Sequence, residues 1–390
     1  MKIASRANTA PDVARPLAPS LPAPIVDHMR VVVFSDAIPG RNGVGTFYDD
    51  LAYSLEPYLG AIRVIAPPEE PEAGEAGWSI RMPGDPTQRV HIPWIPQLWK
   101  QVRWTRPHVI LAATPSLYGV TGLLLASRLK AGAALCYHTE FPKLADTYWT
   151  GVRKRIMPAF LSWWDRLLVR YSPAVLAPNE ELATVLAGKG RTDARVMYTL
   201  APKTFVDTPP PEPPTAVRKV TFIGRLAPEK RIEQVLRAAQ ALPEIRFRLI
   251  GDGPLRELAQ TVATDCPNLE LLGWRDRADV MREIDATDLV VLPSRHETFG
   301  TAAFEAMVRG RPALVSPECG ITGWPELADG IFVMRADESL TPALRRVTRL
   351  PEAELAAHAR EARRASVLVH QQAVAGWLEL LGSLARDPAR

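Results

Sequence analysis

The sequence predicts an α/β protein built from two doubly wound domains that face one another across a cleft. Three observations carry this. Short aliphatic runs alternate with helical patterns along the chain, as in a parallel sheet covered by helices. The alternation breaks once, in a proline-rich stretch, and then restarts. The 390 residues exceed one ordinary domain of about 100–200 residues.

Residues 1–29 are rich in Ala and Pro and lack the roughly 7–15-residue apolar core of a secretory signal, so they read as a flexible leader. The first domain follows over 30–200. Its strands are VVVFS (31–35), IRVIA (62–66), HVILAA (108–113), AALCY (133–137), AVLAP (174–178) and RVMY (195–198). Each is aliphatic or β-branched and bounded by Pro, Gly or charge, the signature of a buried parallel strand. Helical patterns at 44–55 and 117–129 lie between them. Residues 201–218, with six prolines and no periodicity, read as an interdomain linker, because proline fixes φ and removes a backbone donor.

The second domain covers 219–365. Its strands are KVTFIG (219–224), RFRLIG (246–251), LELLG (269–273), DLVVLP (288–293), PALVS (312–316) and IFVM (331–334), with helices near 230–241, 254–265, 276–286 and 301–309. A final helical pattern runs over 352–386, and residues 366–390 are expected to pack back toward the first domain. In such sheets ligands sit outside the carboxyl ends of the strands.

Bulk properties narrow the function. A net charge of +4 favours an anionic ligand or surface but is too weak to argue for nucleic-acid binding. Cys136, Cys266 and Cys319 are far apart and read as isolated reduced thiols. No run approaches the ~18 apolar residues of a membrane span. A cytoplasmic protein, peripheral at most on the inner membrane face, is expected.

Four segments carry chemistry. In FIGRLAPEK (222–230) a strand ends at Gly224 and a loop presents Arg225 and Lys230 beside a helix start, an arrangement for phosphate oxygens or a pair of ordinary surface cations. In LIGDGP (249–254) Gly251 and Gly253 allow close backbone approach, as many strand-to-helix turns do. In SRHETFGTAAFEAM (294–307) a helix begins near Thr301, where backbone amides of Gly300 and Thr301 favour an anion. Glu305 follows among Phe304, Ala306 and Met307. Without a partner, its charge would cost several kcal/mol, so it either reaches solvent or meets a ligand. A sugar diol would satisfy it, since one carboxylate can accept from two hydroxyls. Finally, SDAIPGRNGVGTF (35–47) is a loop opening a helix, with Gly43 and Gly45 small enough for close approach.

Taken together, ETFGTAAFE, GRLAPEK, LIGDGP and DLVVLPS resemble the retaining glycosyltransferases of family 4, which have the GT-B fold of two Rossmann-like domains. The resemblance covers most of 219–316, with weaker support from 31–55 and 133–186. It implies that Glu305 binds the nucleotide ribose, that Arg225 and Lys230 hold the diphosphate and stabilise charge on the leaving group, and that Glu297 contacts the transferred sugar. Gly300 and Thr301 would assist through their amides, with Phe299 and Gly251 in the same donor set, and Trp274 and Arg275 would lie near the base. His138 in CYHTEF would hydrogen-bond the donor sugar, and Gly43 and Gly45 would line the diphosphate side. A lone histidine after a strand is otherwise commonly structural.

The implied reaction is transfer of a hexose, with retention, from a UDP- or GDP-sugar to a lipid or saccharide acceptor. The nucleotide sugar is a co-substrate, and no other cofactor is expected. The chain has no Asp-x-Asp, so no metal is expected, and the cations and helix terminus would do the electrostatic work. Two alternatives stand beside this: a sugar-nucleotide epimerase of the same architecture and a non-catalytic sugar-nucleotide-binding protein. One departure from the family is PECGITGWPEL (317–327), where Trp324 and Pro325 are bulkier than the usual small-residue loop. Residues 148–173, with Trp149, Trp163 and Trp164 among five arginines and lysines, suit either a core-packing helix or an anionic membrane surface.

Overall fold

The computed structural model describes residues 26–37, 43–67, 78–82, 85–138, 151–178, 180–197, 199–295, 297 and 299–386. The leader up to residue 25, the loop 38–42, Trp149, His296 and Thr298 lie outside the described residues. Two compact units are present: residues up to Tyr198 together with Val374–Arg390, and Thr199–Ala373.

The first unit is a parallel sheet of six strands, β1 (Val26–Phe34), β2 (Leu59–Ile65), β5 (Val109–Ala112), β6 (Gly132–Cys136), β7 (Val175–Ala177) and β8 (Arg195–Val196), in the order β2-β1-β5-β6-β7-β8. The strand order reverses between β1 and β5, which makes their carboxyl ends the switch point of this sheet. Helices α1 (Gly43–Leu55), α2 (Ile95–Thr105), α3 (Leu117–Leu129), α4 (Gly151–Tyr171) and α5 (Glu180–Gly188) connect them. Strand β1 begins before the expected end of the leader, because Val26 already pairs with Leu59 through its backbone while Asp27 and His28 stay exposed. The antiparallel hairpin β3 (Trp78–Met82) and β4 (Asp85–Ile92), together with α2, was not foreseen.

The second unit holds β9 (Lys219–Ile223), β10 (Arg246–Ile250), β11 (Leu269–Gly273), β12 (Leu289–Leu292), β13 (Ala313–Val315) and β14 (Ile331–Val333), all parallel, in the order β11-β10-β9-β12-β13-β14. This is the 3-2-1-4-5-6 order of a dinucleotide-binding fold, with the switch point between β9 and β12. Strand β12 is buried along its whole length, as its continuous LVVL requires. The connecting helices are α7 (Ile232–Ala241), α8 (Arg256–Thr264), α9 (Arg277–Asp285), α10 (Thr301–Val308) and α11 (Leu340–Val347).

The proline-rich stretch is not the helix-free linker that was expected. A short helix, α6 (Lys203–Asp207), occupies KTFVD, within its longest run without proline. The carbonyls around it are tied to the second unit by arginines. Arg309, fully buried, donates to the carbonyls of Phe205, Thr208 and Pro209 and to the Asp285 carboxylate. Arg311 donates to the Glu212 carbonyl, and Arg363 to that of Val206. Hydrogen bonds to a charged donor each contribute about 1.5–3 kcal/mol, enough to hold a segment that forms no ladder of its own.

The chain ends in one long helix, α12 (Glu352–Leu384), rather than a separate segment starting at 366. The units divide within it, after Ala373. In the first unit, Trp377 is fully buried and the Arg386 amide donates to the His108 carbonyl.

Candidate functional site

In the second unit the loops after β9 and β12 emerge on either side of the switch point, and a salt bridge joins them. Lys230 Nζ pairs with Glu297 Oε2, and each side chain keeps about a fifth of its surface exposed, 19% and 20%. Arg225 is exposed in the same β9 loop. The adjacent Arg231 has left-handed backbone (φ 51°) and donates to Glu318 at 3.0 Å. The two glycines after β10 shape this loop. A Cβ on Gly251 would lie 2.0 Å from the Gly224 carbonyl oxygen, and one on Gly253 2.5 Å from that of Leu226. Their smallness lets backbone pass backbone, and it is used there within the protein itself.

Gly300 was expected to offer its backbone amide to an anion. It has φ 100° and caps α10, but a Cβ there would lie 2.6 Å from Cys319 Sγ, so the space beside it already belongs to the chain. Cys319 forms a parallel bridge with Glu297, and the Gly320 amide donates to the Glu297 carbonyl at 2.9 Å. Burial, reinforced by the nearby Glu297 charge, pushes the Cys319 thiol up to about 12, so it is a neutral packing group. The bulky departure at 324 has a structural explanation. Trp324 meets Phe299 edge-on at 5.5 Å, and Phe299 meets Phe304 at 5.3 Å, so the loop is held by an aromatic row. Thr301 is exposed at the first turn of α10.

Glu305 has 6% of its surface exposed, which removes a solvated helix-face carboxylate from consideration. Its partner is Arg277, a residue the sequence reading missed, with Nη2 3.2 Å from Oε1. Burial raises the Glu305 pKa and the Arg277 guanidinium pulls it back down. Arg277 opens α9 directly after its cap Asp276, and it also lies over the Phe205 ring at 5.6 Å. Trp274 is 61% exposed and Arg275 is half-buried, both in the loop after β11. Within this unit the structure therefore gathers Lys230, Glu297, Phe299 and Gly300 around one switch point. Glu305 lies one helical turn behind Thr301.

The first unit places its own residues together. Gly43 opens α1 and Gly45 is buried in its first turn. From the same helix the Tyr48 hydroxyl hydrogen-bonds His138 Nε2 at 2.8 Å, and Phe47 meets the imidazole at 5.4 Å. Burial pushes His138 down to about 4, so it is neutral near pH 7. At the switch point of this sheet Thr114 Oγ1 donates to Asp36, which the sequence reading did not single out. Among the described residues there is no cluster of three His, Cys, Asp or Glu side chains placed to hold a metal.

Comparison with known proteins completes the picture. Residues 41–199 match the family model Glycosyltransferase Family 4, and residues 207–365 match Glycosyl transferases group 1. A GDP-mannose-dependent α-(1-6)-phosphatidylinositol dimannoside mannosyltransferase of Mycobacterium tuberculosis (strain ATCC 25177 / H37Ra) is 33% identical over 167 residues, 42% of this chain and 43% of the relative. The chain thus spans less than half of that relative's length in the match. A GDP-mannose-dependent α-mannosyltransferase of Corynebacterium glutamicum is 25% identical over 76% of this chain and 74% of its own. Among solved structures, a sucrose-phosphate synthase from Thermosynechococcus elongatus superposes with TM-score 0.64 at 16% identity, covering 91% of this chain and 98% of that one, a likeness of fold.

Proposed function

We propose, for a chain that belongs to the retaining family 4 (group 1) glycosyltransferases of GT-B fold, that it moves a hexose from a nucleotide diphosphate sugar to a saccharide or lipid acceptor. The observation that carries the reading is the Lys230–Glu297 pair across the β9/β12 switch point, with the buried Glu305 behind it. GDP-mannose is the first donor to test, because the mannosyltransferases named above use it.

In this reading Arg225 and Lys230 hold the diphosphate, the Gly300 and Thr301 amides assist, and Glu305 accepts from the ribose hydroxyls. Glu297 turns from Lys230 toward hydroxyls of the sugar. Trp274 and Arg275 lie near the base, while Phe299 and Gly251 support the donor loops. In the first unit, Gly43, Gly45 and His138 serve donor binding. Neutral His138 is suited to a hydrogen bond with a sugar hydroxyl rather than to proton transfer near pH 7. Departing negative charge is met by fixed cations and a helix N-terminus, so no metal is required. The departing phosphate takes the acceptor proton, and attack on the same face retains configuration.

The chain acts in the cytoplasm, peripheral on the inner membrane face. No helix among the described residues is long and apolar enough to cross a membrane. The burial of individual side chains along α4 supports a helix that packs on one side and presents cations on the other. Trp164 Nε1 donates to the Pro115 carbonyl and Asp165 is buried against Lys189, whereas Trp163, Arg166 and Arg170 are exposed.

A thermal-shift panel of nucleotides and nucleotide sugars tests the donor site. A binder at about a hundred times its Kd stabilises the folded state by roughly 2.7 kcal/mol. GDP and GDP-mannose should shift the wild-type protein and leave a folded Glu305→Ala variant unmoved. A normal shift in that variant removes Glu305 from the site.

A further inference from the structure

One face of the first unit's sheet is covered by α2, α3 and α4. Leu98 and Val102 of α2 pack with Val32 and Ile110, and Val169 of α4 packs with Ala112 and Leu135. Ile110 and Ala112 are alternate residues of β5, so both clusters lie on the same side of the sheet. Leu123 of α3 packs against both. The three helices therefore form one layer.

The outward side of this layer has an unusual composition. Trp104 is 82% exposed on α2, Leu124 60% on α3 and Trp163 57% on α4. Beside them lie exposed cations: Lys100 and Arg103 on α2, Arg128 on α3, Arg166 and Arg170 on α4. Carboxylates are missing. The sequence has no Asp or Glu between Asp85 and Glu140, and the one acid of α4, Asp165, is buried and paired with Lys189. A merely solvated helix face mixes both signs of charge and keeps its tryptophans inside.

We propose that this outer face of α2, α3 and α4 docks on an anionic lipid bilayer, with Trp104 and Trp163 in the headgroup layer. Indole rings partition to that layer because one edge is apolar and the N–H stays wet. The cations, unopposed by acids on the same face, are drawn to anionic headgroups. A nucleic acid would meet the same charges but gives no reason for tryptophans this exposed on separate helices. The inference deepens the peripheral-membrane part of the reading above, moving its centre from one segment to a three-helix face.

The test is co-sedimentation of the full chain with phosphatidylcholine vesicles, with and without phosphatidylglycerol, at low salt. The wild type is expected to bind only the anionic vesicles, with the tryptophan emission shifting to the blue. Trp104→Ser should weaken binding about tenfold, and Lys100→Glu with Arg103→Glu should abolish it. Arg166→Glu with Arg170→Glu should weaken it as well. Each variant must keep the wild-type melting temperature and its GDP-induced shift, which reads the donor site. Absence of wild-type binding to anionic vesicles overturns the proposal. So does unchanged binding in the α2 variants, or binding to DNA without binding to vesicles. A chain that binds vesicles but shows no nucleotide shift instead overturns the donor assignment and leaves the surface standing.

Discussion

Arg277 reaches across from the start of α9 to place its Nη2 3.2 Å from Oε1 of Glu305, a carboxylate otherwise enclosed by the apolar interior of α10. The pair explains how a helix reading AAFEAMV tolerates a charge at its centre. Removing only one partner is the informative experiment, because it leaves the other uncompensated. Arg277→Met should destabilise the protein by about 2–3 kcal/mol, at the low end of such losses because the Arg277 side chain keeps 33% of its exposure. Arg277→Lys should recover part of this. Urea melts of the folded variants provide the measurement, and equal stability of Met and wild type would show that solvent, not Arg277, balances Glu305.

The same pair sets a pH dependence. Burial raises the Glu305 pKa in the folded state, so its protonated form is favoured there relative to the unfolded chain. Its contribution to stability is fully present below the unfolded carboxyl range and is lost as pH rises through the folded value. Donor binding has the opposite requirement, an ionised Glu305 to accept from hydroxyls. Nucleotide affinity should therefore fall on acidification through that raised pKa, and Arg277→Met should move the fall to higher pH. Calorimetric titration of GDP across the acidic range measures it; an unmoved midpoint in the variant would separate Arg277 from Glu305 ionisation.

Gly300 offers a test independent of function. It has φ 100°, and its missing Cβ leaves room for Cys319 Sγ at 2.6 Å from where that atom would lie. Gly300→Ala meets two penalties, left-handed backbone and overlap, and should cost about 2–4 kcal/mol. Adding Cys319→Ala removes the overlap and leaves the backbone term. Chemical denaturation of the single and double variants should thus show partial rescue beyond additivity, and strict additivity would mean that the two residues do not meet.

Much of the scaffold could be read from the chain because buried parallel strands leave a direct record. Runs such as VVVF and LVVL are aliphatic on both faces, and both are strands. The hairpin Trp78–Ile92 left no such record, being short, mixed in polarity and broken by Pro and Gly. Helix α6 hid inside a proline-rich stretch whose stability comes from Arg309, about a hundred residues away along the chain, beyond the reach of any local pattern. At the site, Lys230 stood out as a cation in a strand-to-helix loop, Glu305 by its apolar neighbours and Glu297 through the family resemblance. Arg277 and Cys319 did not, since what marks them is a partner brought near only by the order of the sheet. The demand for a partner was nevertheless visible in a carboxylate flanked by Phe, Ala and Met, and Arg277 of WRDRADV meets it in the structure.

Burial holds both His138 and His370 near pKa 4, against an ordinary value of 6.5. His138 accepts or donates only to the Tyr48 hydroxyl, among the contacts described above, while His370 Nδ1 accepts from the Ala201 amide at 3.2 Å. A group with a depressed folded pKa binds its proton later than it does in the unfolded chain. Between about pH 6.5 and 4 the unfolded state therefore takes up protons that the folded state refuses, and stability falls as pH falls. Each histidine adds at most about 1.4 kcal/mol per pH unit to that slope. Because the two lie in different units, replacing one should leave the other's share intact. His138→Gln should flatten the acid limb of a melting-temperature profile by up to half of the histidine share, and so should His370→Gln separately. In the same window the activity of the wild type should show no limb assignable to His138, since the imidazole stays neutral down to about pH 4. A full-depth acid limb persisting in the double variant would place the acid sensitivity in the carboxylates instead.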